Sequence, residues 1–72
     1  MPRTFNHDLS AAELDALRCA ADGLSVPETA QLLGKGAETV KTQLMRARLK
    51  LGARNTLHAA IRAERSGLFG DS

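Results

Sequence analysis

Residues 38–52 read Glu38-Thr39-Val40-Lys41-Thr42-Gln43-Leu44-Met45-Arg46-Ala47-Arg48-Leu49-Lys50-Leu51-Gly52, and the alternation of apolar and charged side chains in this stretch decides the fold. At about 100° per residue, Val40, Leu44, Ala47 and Leu51 fall within one narrow arc of a helix. Thr42, Met45, Arg46 and Leu49 lie on the far side, together with Glu38. Lys41 and Arg48 flank that far side on one edge, Gln43 and Lys50 on the other. A helix of a small domain needs one buried stripe. The opposite wall is cationic, and by default such a wall is simply solvated. What sets this one apart is the short helix and tight turn directly before it.

Working outward, the rest of the chain divides into helices. Ser10-Ala11-Ala12-Glu13 has capping-box spacing, with Leu9 and Leu14 placed as a hydrophobic staple. The first helix runs to about Asp22, with Leu14, Leu17 and Ala21 inward, and Gly23 stops it. Ser25-Val26-Pro27-Glu28 repeats the capping spacing, and Pro27 is tolerated in a first turn. This second helix is short, about Val26 to Leu33. Gly34-Lys35-Gly36 is a turn that could not lie inside a helix without cost. The third helix spans about Ala37 to Leu51, with Gly52 at its end. Asn55 or Thr56 caps a fourth, which reaches about Arg65 and stops at Gly67. No alternating strand pattern occurs, so the fold class is all-α. A short helix, a glycine-containing turn and a longer basic helix form a helix-turn-helix pattern.

Seventy-two residues make one domain with a small core. Phe5 and Phe69 are the aromatic side chains, so Leu, Val, Ile and Ala must build that core. Such a monomer is marginally stable, and dimerisation or ligand binding would help it. The single cysteine, Cys19, has no internal disulfide partner and reads as a small buried apolar side chain. Cys19, His7 and His58 are too few and too scattered for zinc, and no metal or cofactor is expected. There is no apolar run of membrane-spanning length and no signal-peptide pattern, so the expected location is the cytoplasm.

The formal net charge of +2 hides a polarised molecule. Met1 to Gly34 carries −3, from Arg3 and Arg18 against Asp8, Glu13, Asp15, Asp22 and Glu28. Lys35 to Arg54 carries +5, from Lys35, Lys41, Arg46, Arg48, Lys50 and Arg54 against Glu38. Asn55 to Ser72 is neutral. A concentrated cationic segment of this kind is a footprint for a polyanion.

Several motifs resemble the DNA-binding domain of LuxR/GerE-type transcription regulators. They are Leu9-Ser10-x-x-Glu13, Gly23-Leu24-Ser25-x-x-Glu28-x-Ala30-x-x-Leu33, Thr39-Val40-Lys41, Lys50-Leu51-Gly52 and Gly67-Leu68. They run from Leu9 to Leu68 in the family's order and spacing, far more specific than a lone motif. The resemblance implies a four-helix domain over 9–68, with an extension at 1–8 and a tail at 69–72. Its third helix would enter the major groove of double-stranded DNA, and its fourth would pack against a second subunit. With eight residues ahead of Leu9, the likeness is to stand-alone GerE-like members, which lack the receiver or autoinducer-binding domain of larger ones.

Physical placement and resemblance agree on the residues that face DNA. Lys41, Thr42 and Met45 project toward base edges. A lysine can donate to guanine O6 or N7, and Thr42 can bond either way or set its methyl against thymine. Met45 offers an apolar contact to a thymine methyl or acts as a spacer. Arg46, at the edge of the same face, reaches a base or a phosphate. Thr39, Gln43, Arg48, Lys50 and Arg54 are placed for phosphates, which fix register without reading sequence. Glu38 must accept from a cytosine amino group in the groove or else stabilise the helix dipole, and the second reading is favoured.

Some positions depart from the family pattern. Lys35 stands where Ile or Val is usual, Thr29 where an apolar residue is, Gly36 for a capping Ser, Gln43 for a common His and Thr56 for a frequent Arg. Thr39-Val40-Lys41-x-x-Leu44-x-Arg46-Ala47-Arg48 also resembles the recognition helix of region 4 in extracytoplasmic-function sigma factors, an evolutionary neighbour. In helix four, Leu57, Ala60, Ile61 and Leu68 are expected to serve the core. Ala59 and Ala63 form an almost side-chain-free strip, either ordinary surface or a homodimer interface, and the resemblance favours the dimer. His58 reads as a surface or capping side chain.

Two function classes follow: a sequence-specific DNA-binding transcription regulator, or a protein-interaction module that modulates another regulator or RNA polymerase. An enzyme is not expected, since no carboxylate pair, nucleophile with a base, phosphate loop or room for a substrate pocket is present.

Overall fold

Local signals in the chain start and stop every helix. The computed structural model describes residues 9–70, so the expected extension at 1–8 and the last two residues of the expected tail lie outside the described residues. Its helices are α1 (Ala11–Ala21), α2 (Val26–Leu33), α3 (Ala37–Lys50) and α4 (Thr56–Arg65), and no strand occurs among the described residues. Both capping boxes form. Ser10 Oγ accepts from the Glu13 N–H at 3.0 Å and the Glu13 carboxylate accepts from the Ser10 N–H at 3.0 Å. Ser25 and Glu28 repeat this at 3.2 and 2.8 Å, and those bonds, the one from the Ser25 backbone first, hold the Glu28 carboxyl below its ordinary pKa. At α4, Asn55 Oδ1 accepts from the His58 N–H at 2.8 Å, while His58 Nδ1 accepts from the Arg54 N–H at 3.0 Å. That makes His58 a capping side chain, as expected. Only α3 begins without a side-chain cap, on Gly36.

The helix ends share one geometry. Gly23, Gly34, Gly52 and Gly67 have positive φ, and the residue after each donates its N–H to a carbonyl five positions back, at 2.9 to 3.0 Å. These are Schellman turns, in which a left-handed residue lets the chain fold back over the last turn. At Gly34 (φ 68°) the reversal points the chain from α2 into α3 and creates the corner of the helix-turn-helix.

The core is built largely from alanine. Leu17 of α1 sits among Ala47, Leu51, Ala53, Ala59, Ala60 and Ala63, with Leu9, Leu44, Leu68 and Phe69 packed around them. Val40 and Thr29 are fully buried between α2, α3 and the rest, and Cys19 is buried as a free thiol. Arg18 stacks over the Phe69 ring, 5.9 Å from its centroid, and pins the C-terminal residues to α1. No helix among the described residues is long and apolar enough to cross a membrane.

In two places the buried faces differ from expectation. Ala21 is exposed, and Ala16 instead lies inside α1 beside Leu17 and the expected Cys19. In α4 the assignment is half reversed: Ala60 is buried and Leu68 packs on the core as expected, but Ala59 and Ala63 are fully buried too, whereas Leu57 is 70% and Ile61 41% exposed. The strip expected to admit a partner helix is covered from within the chain. Both stripes of α4 are apolar, so periodicity does not choose between them. Close packing does, because a methyl group lets α4 lie against Leu17 where a branched chain would hold it off.

The N-terminal cap of α1 also ties the domain together. Glu13 is only 5% exposed, and its carboxylate accepts from Lys50 Nζ of α3 at 2.8 Å. Burial by itself would raise the Glu13 pKa. The bonds from Lys50 and the Ser10 N–H, helped by the charges of Lys50 and Arg46, outweigh it and hold the carboxyl below 4.5. A depressed carboxyl pKa contributes stability that is complete above the unfolded value and is lost as pH falls through the folded one. Glu13→Gln should therefore lower stability at neutral pH by about 1–3 kcal/mol. It should also remove part of the acid sensitivity below about pH 4.5, seen as a wild-type-minus-variant difference in urea unfolding that shrinks with acid. A difference that stays constant with pH would show that the carboxylate charge contributes nothing.

Candidate nucleic-acid interface

The site is the outer wall of α3, and the core dictates which residues form it. Val40 and Ala47 are fully buried and Leu51 nearly so, which turns the opposite side of the helix to solvent. Glu38, Thr39, Lys41, Thr42, Met45, Arg46 and Leu49 are all exposed there. Lys41, Thr42, Met45 and Arg46, the expected base readers, thus share one surface. Glu38, Thr39, Thr42, Gln43 and Arg46 line a shallow depression along it. Fourteen residues make α3 about 21 Å long, and a helix of this width fits a major groove about 12 Å across.

Hydrogen bonds sort the charged residues by availability. Lys41 meets Glu38 at 3.4 Å with both side chains largely exposed, a contact weak enough to exchange for a phosphate or base. Glu38 thereby sits in the first turn, where its charge also complements the helix dipole. Arg48 Nη1 donates to the Ala53 carbonyl at 3.3 Å, closing the end of α3 with one of five donors. Arg54 is exposed, and its backbone N–H goes to His58. Gln43 is half-buried and accepts from Lys35 Nζ at 3.3 Å.

Lys50 has a structural partner that the sequence did not show. Its side chain is 35% exposed and its ammonium donates to the buried Glu13 carboxylate at 2.8 Å, so it also braces α3 against α1. Helical spacing placed Lys50 correctly on the wall's edge but could not show a partner 37 positions away in sequence. Lys35, in the turn, reaches Gln43 only because the corner is folded.

A short helix, a left-handed glycine turn and a longer helix whose exposed wall is cationic define a helix-turn-helix DNA-binding domain. The comparisons agree. The family model described as sigma-70, region 4 matches residues 17–51. The HTH-type transcriptional activator RamA of Corynebacterium glutamicum is 48% identical over 59 residues, covering 82% of this chain and 21% of that protein. The transcriptional activator protein AnoR of Acinetobacter nosocomialis is 41% identical over 65 residues, covering 90% of this chain and 27% of that protein. The chain therefore spans between about a fifth and a quarter of the length of these curated relatives, and it is homologous to part of known transcriptional activators.

The two kinds of wall residue should separate in a stability measurement without DNA. Thr42→Ala and Met45→Ala, on the open face, should shift unfolding free energy by no more than about 0.5 kcal/mol. Lys50→Ala strands a buried carboxylate and should cost about 2–3 kcal/mol. Equal, small effects in denaturant titration would mean that the Glu13–Lys50 bridge does not brace the fold.

Proposed function

We propose that this chain is a LuxR/GerE-type domain that binds double-stranded DNA in a sequence-specific way as part of transcription regulation. The observation that carries the reading is the exposed wall of α3, where Lys41, Thr42, Met45 and Arg46 stand together beside a helix-turn-helix corner. In the major groove Lys41 and Arg46 donate to guanine or phosphate oxygens, and Thr42 and Met45 present a methyl and a thioether to thymine. Thr39, Gln43, Arg48 and Arg54 hold the flanking phosphates, and Lys50 keeps its place on Glu13. The relatives support this, since both are named as transcriptional activators.

The functional unit in this reading is a homodimer. Its interface is the apolar face that the core leaves outside: Leu57 and Ile61 of α4, with Ala20, Ala21 and Leu24, around a hollow of about 470 Å³. Leu57 and Ile61 are large apolar side chains that the fold leaves exposed, and a second copy would remove them from water. Two recognition helices related by a two-fold axis would read half-sites about 34–36 Å apart. The sigma-70 region 4 match favours a second reading, in which the domain engages RNA polymerase or another regulator and binds DNA weakly.

Selection from a random duplex library at physiological salt separates the two. An enriched palindrome is the expected outcome, and no enrichment by the folded protein would favour the polymerase reading. On the selected site, Lys41→Ala or Thr42→Ala should cost about 1–3 kcal/mol of binding and blur one base position. Ile61→Glu should stay folded while losing dimers and affinity for paired half-sites, as read by sedimentation and gel shift. Ala63→Glu, at a buried position, should unfold the domain. An Ile61→Glu protein that binds paired half-sites normally would remove the α4 dimer.

A further inference from the structure

We propose that Lys35 and Gln43 form one binding unit, a paired donor seat for a single backbone phosphate, in which Lys35 of the turn sets the direction of the Gln43 amide. The proposal rests on the DNA-binding reading and adds to it a residue that the groove-facing wall does not contain.

The repeated turn shows why Lys35 is unusual. After the left-handed glycine, three of the four helix ends place an apolar side chain: Leu24, Ala53 and Leu68. That position normally folds back onto the helix just ended, with an apolar contact. The α2–α3 corner places Lys35 there instead. Its backbone is anchored like the others, with its N–H on the Ala30 carbonyl at 2.9 Å. The side chain therefore leaves a rigid corner, and its half-buried stem runs to α3, where Nζ meets Gln43 Oε1 at 3.3 Å.

That bond has a chemical consequence. An ammonium only donates, so the amide atom facing Lys35 must be the oxygen. Gln43 then turns its NH2 group away from Lys35. A free glutamine reads adenine by accepting from N6 while donating to N7. With one lone pair of its oxygen engaged by Lys35 and its NH2 group turned outward, Gln43 presents chiefly donors, and Lys35 keeps two further N–H groups. The pair is thus matched to a ligand that only accepts. Gln43, half-buried, stands on the flank of α3 rather than its crest, in a depression shared with Thr39, Thr42, Arg46 and Glu38, whose carboxylate is paired with Lys41. On a helix laid in a groove the flank faces the wall rather than the floor, so the ligand is a phosphodiester oxygen, and a guanine edge is the competing source.

The test is a double-mutant cycle on two duplexes, the selected site and a scrambled one, across a salt series. Lys35→Met keeps the length of the stem and should fold, since the equivalent turns carry apolar residues; its helix content by circular dichroism checks this. Lys35→Met and Gln43→Ala should each weaken binding about three- to tenfold, equally on both duplexes. Lys35→Met should also reduce the salt slope by about one, and Gln43→Ala should not. The double variant should bind no worse than Lys35→Met alone, while Lys35→Arg should leave the Gln43→Ala effect intact. In the free protein, the Gln43 side-chain amide resonances should move in Lys35→Met. Losses that simply add, unmoved amide resonances or unchanged affinity would overturn the unit. A loss confined to the selected site would assign the ligand as a guanine edge and overturn the phosphate seat. If the amide moves but the wild-type protein has no affinity for either duplex, the DNA reading itself has failed and the phosphate seat falls with it.

Discussion

Alanine packing sets the distances in this domain. Ala16, Ala47, Ala59 and Ala63 are wholly removed from solvent, and Leu17 is the large side chain around which most of them gather. Because methyl groups fill the crossings, helices approach closely and few rotamers are available to the core. The bulky side chains are displaced outward: Leu57 and Ile61 on α4, Leu32 on α2, Met45 and Leu49 on α3. Core and surface are in that sense one arrangement. The same packing that seats α3 leaves large apolar side chains on the outer faces of α2, α3 and α4.

A core of methyl groups supplies little net stability, so polar ties between elements matter more here than in a larger protein. Glu13 serves two of them, capping α1 and receiving Lys50 of α3. Arg48 closes the end of α3 on Ala53, and Arg18 holds Phe69 against α1. The Lys50 and Arg48 contacts hold the C-terminal end of α3 in place without using the crest of its outward wall. Recognition by a helix needs that division, because side chains that read bases must be presented by a rigid element while remaining free themselves. The wall of α3 has this character: Lys41, Thr42, Met45 and Arg46 are exposed, and the cations consumed by structure lie at its edges.

The charge layout points the same way. The acidic stretch from Met1 to Gly34 holds Glu13 and Glu28 as caps, where their charges satisfy helix N-termini. The basic stretch from Lys35 to Arg54 coincides with the turn, α3 and the loop into α4. A polyanion approaching from that side meets positive charge along the helix that would enter its groove.

Much of this was legible in the chain itself. Capping boxes at Ser10 and Ser25, glycines at the helix ends and a 3.6-residue apolar stripe act within a few residues, so they specify four helices and the exposed wall of α3 locally. Tertiary packing decided the rest. Ala59 and Ala63 turn inward, against the expectation for a dimer strip, because α4 carries two adjacent apolar stripes and only the space left by Leu17 selects between them. Lys50 is committed to Glu13 and Lys35 to Gln43 because folding brings together groups 37 and 8 positions apart. Periodicity says which face of a helix a residue occupies. What lies against that face depends on how helices cross, and crossing is set by side-chain volume summed over the whole core.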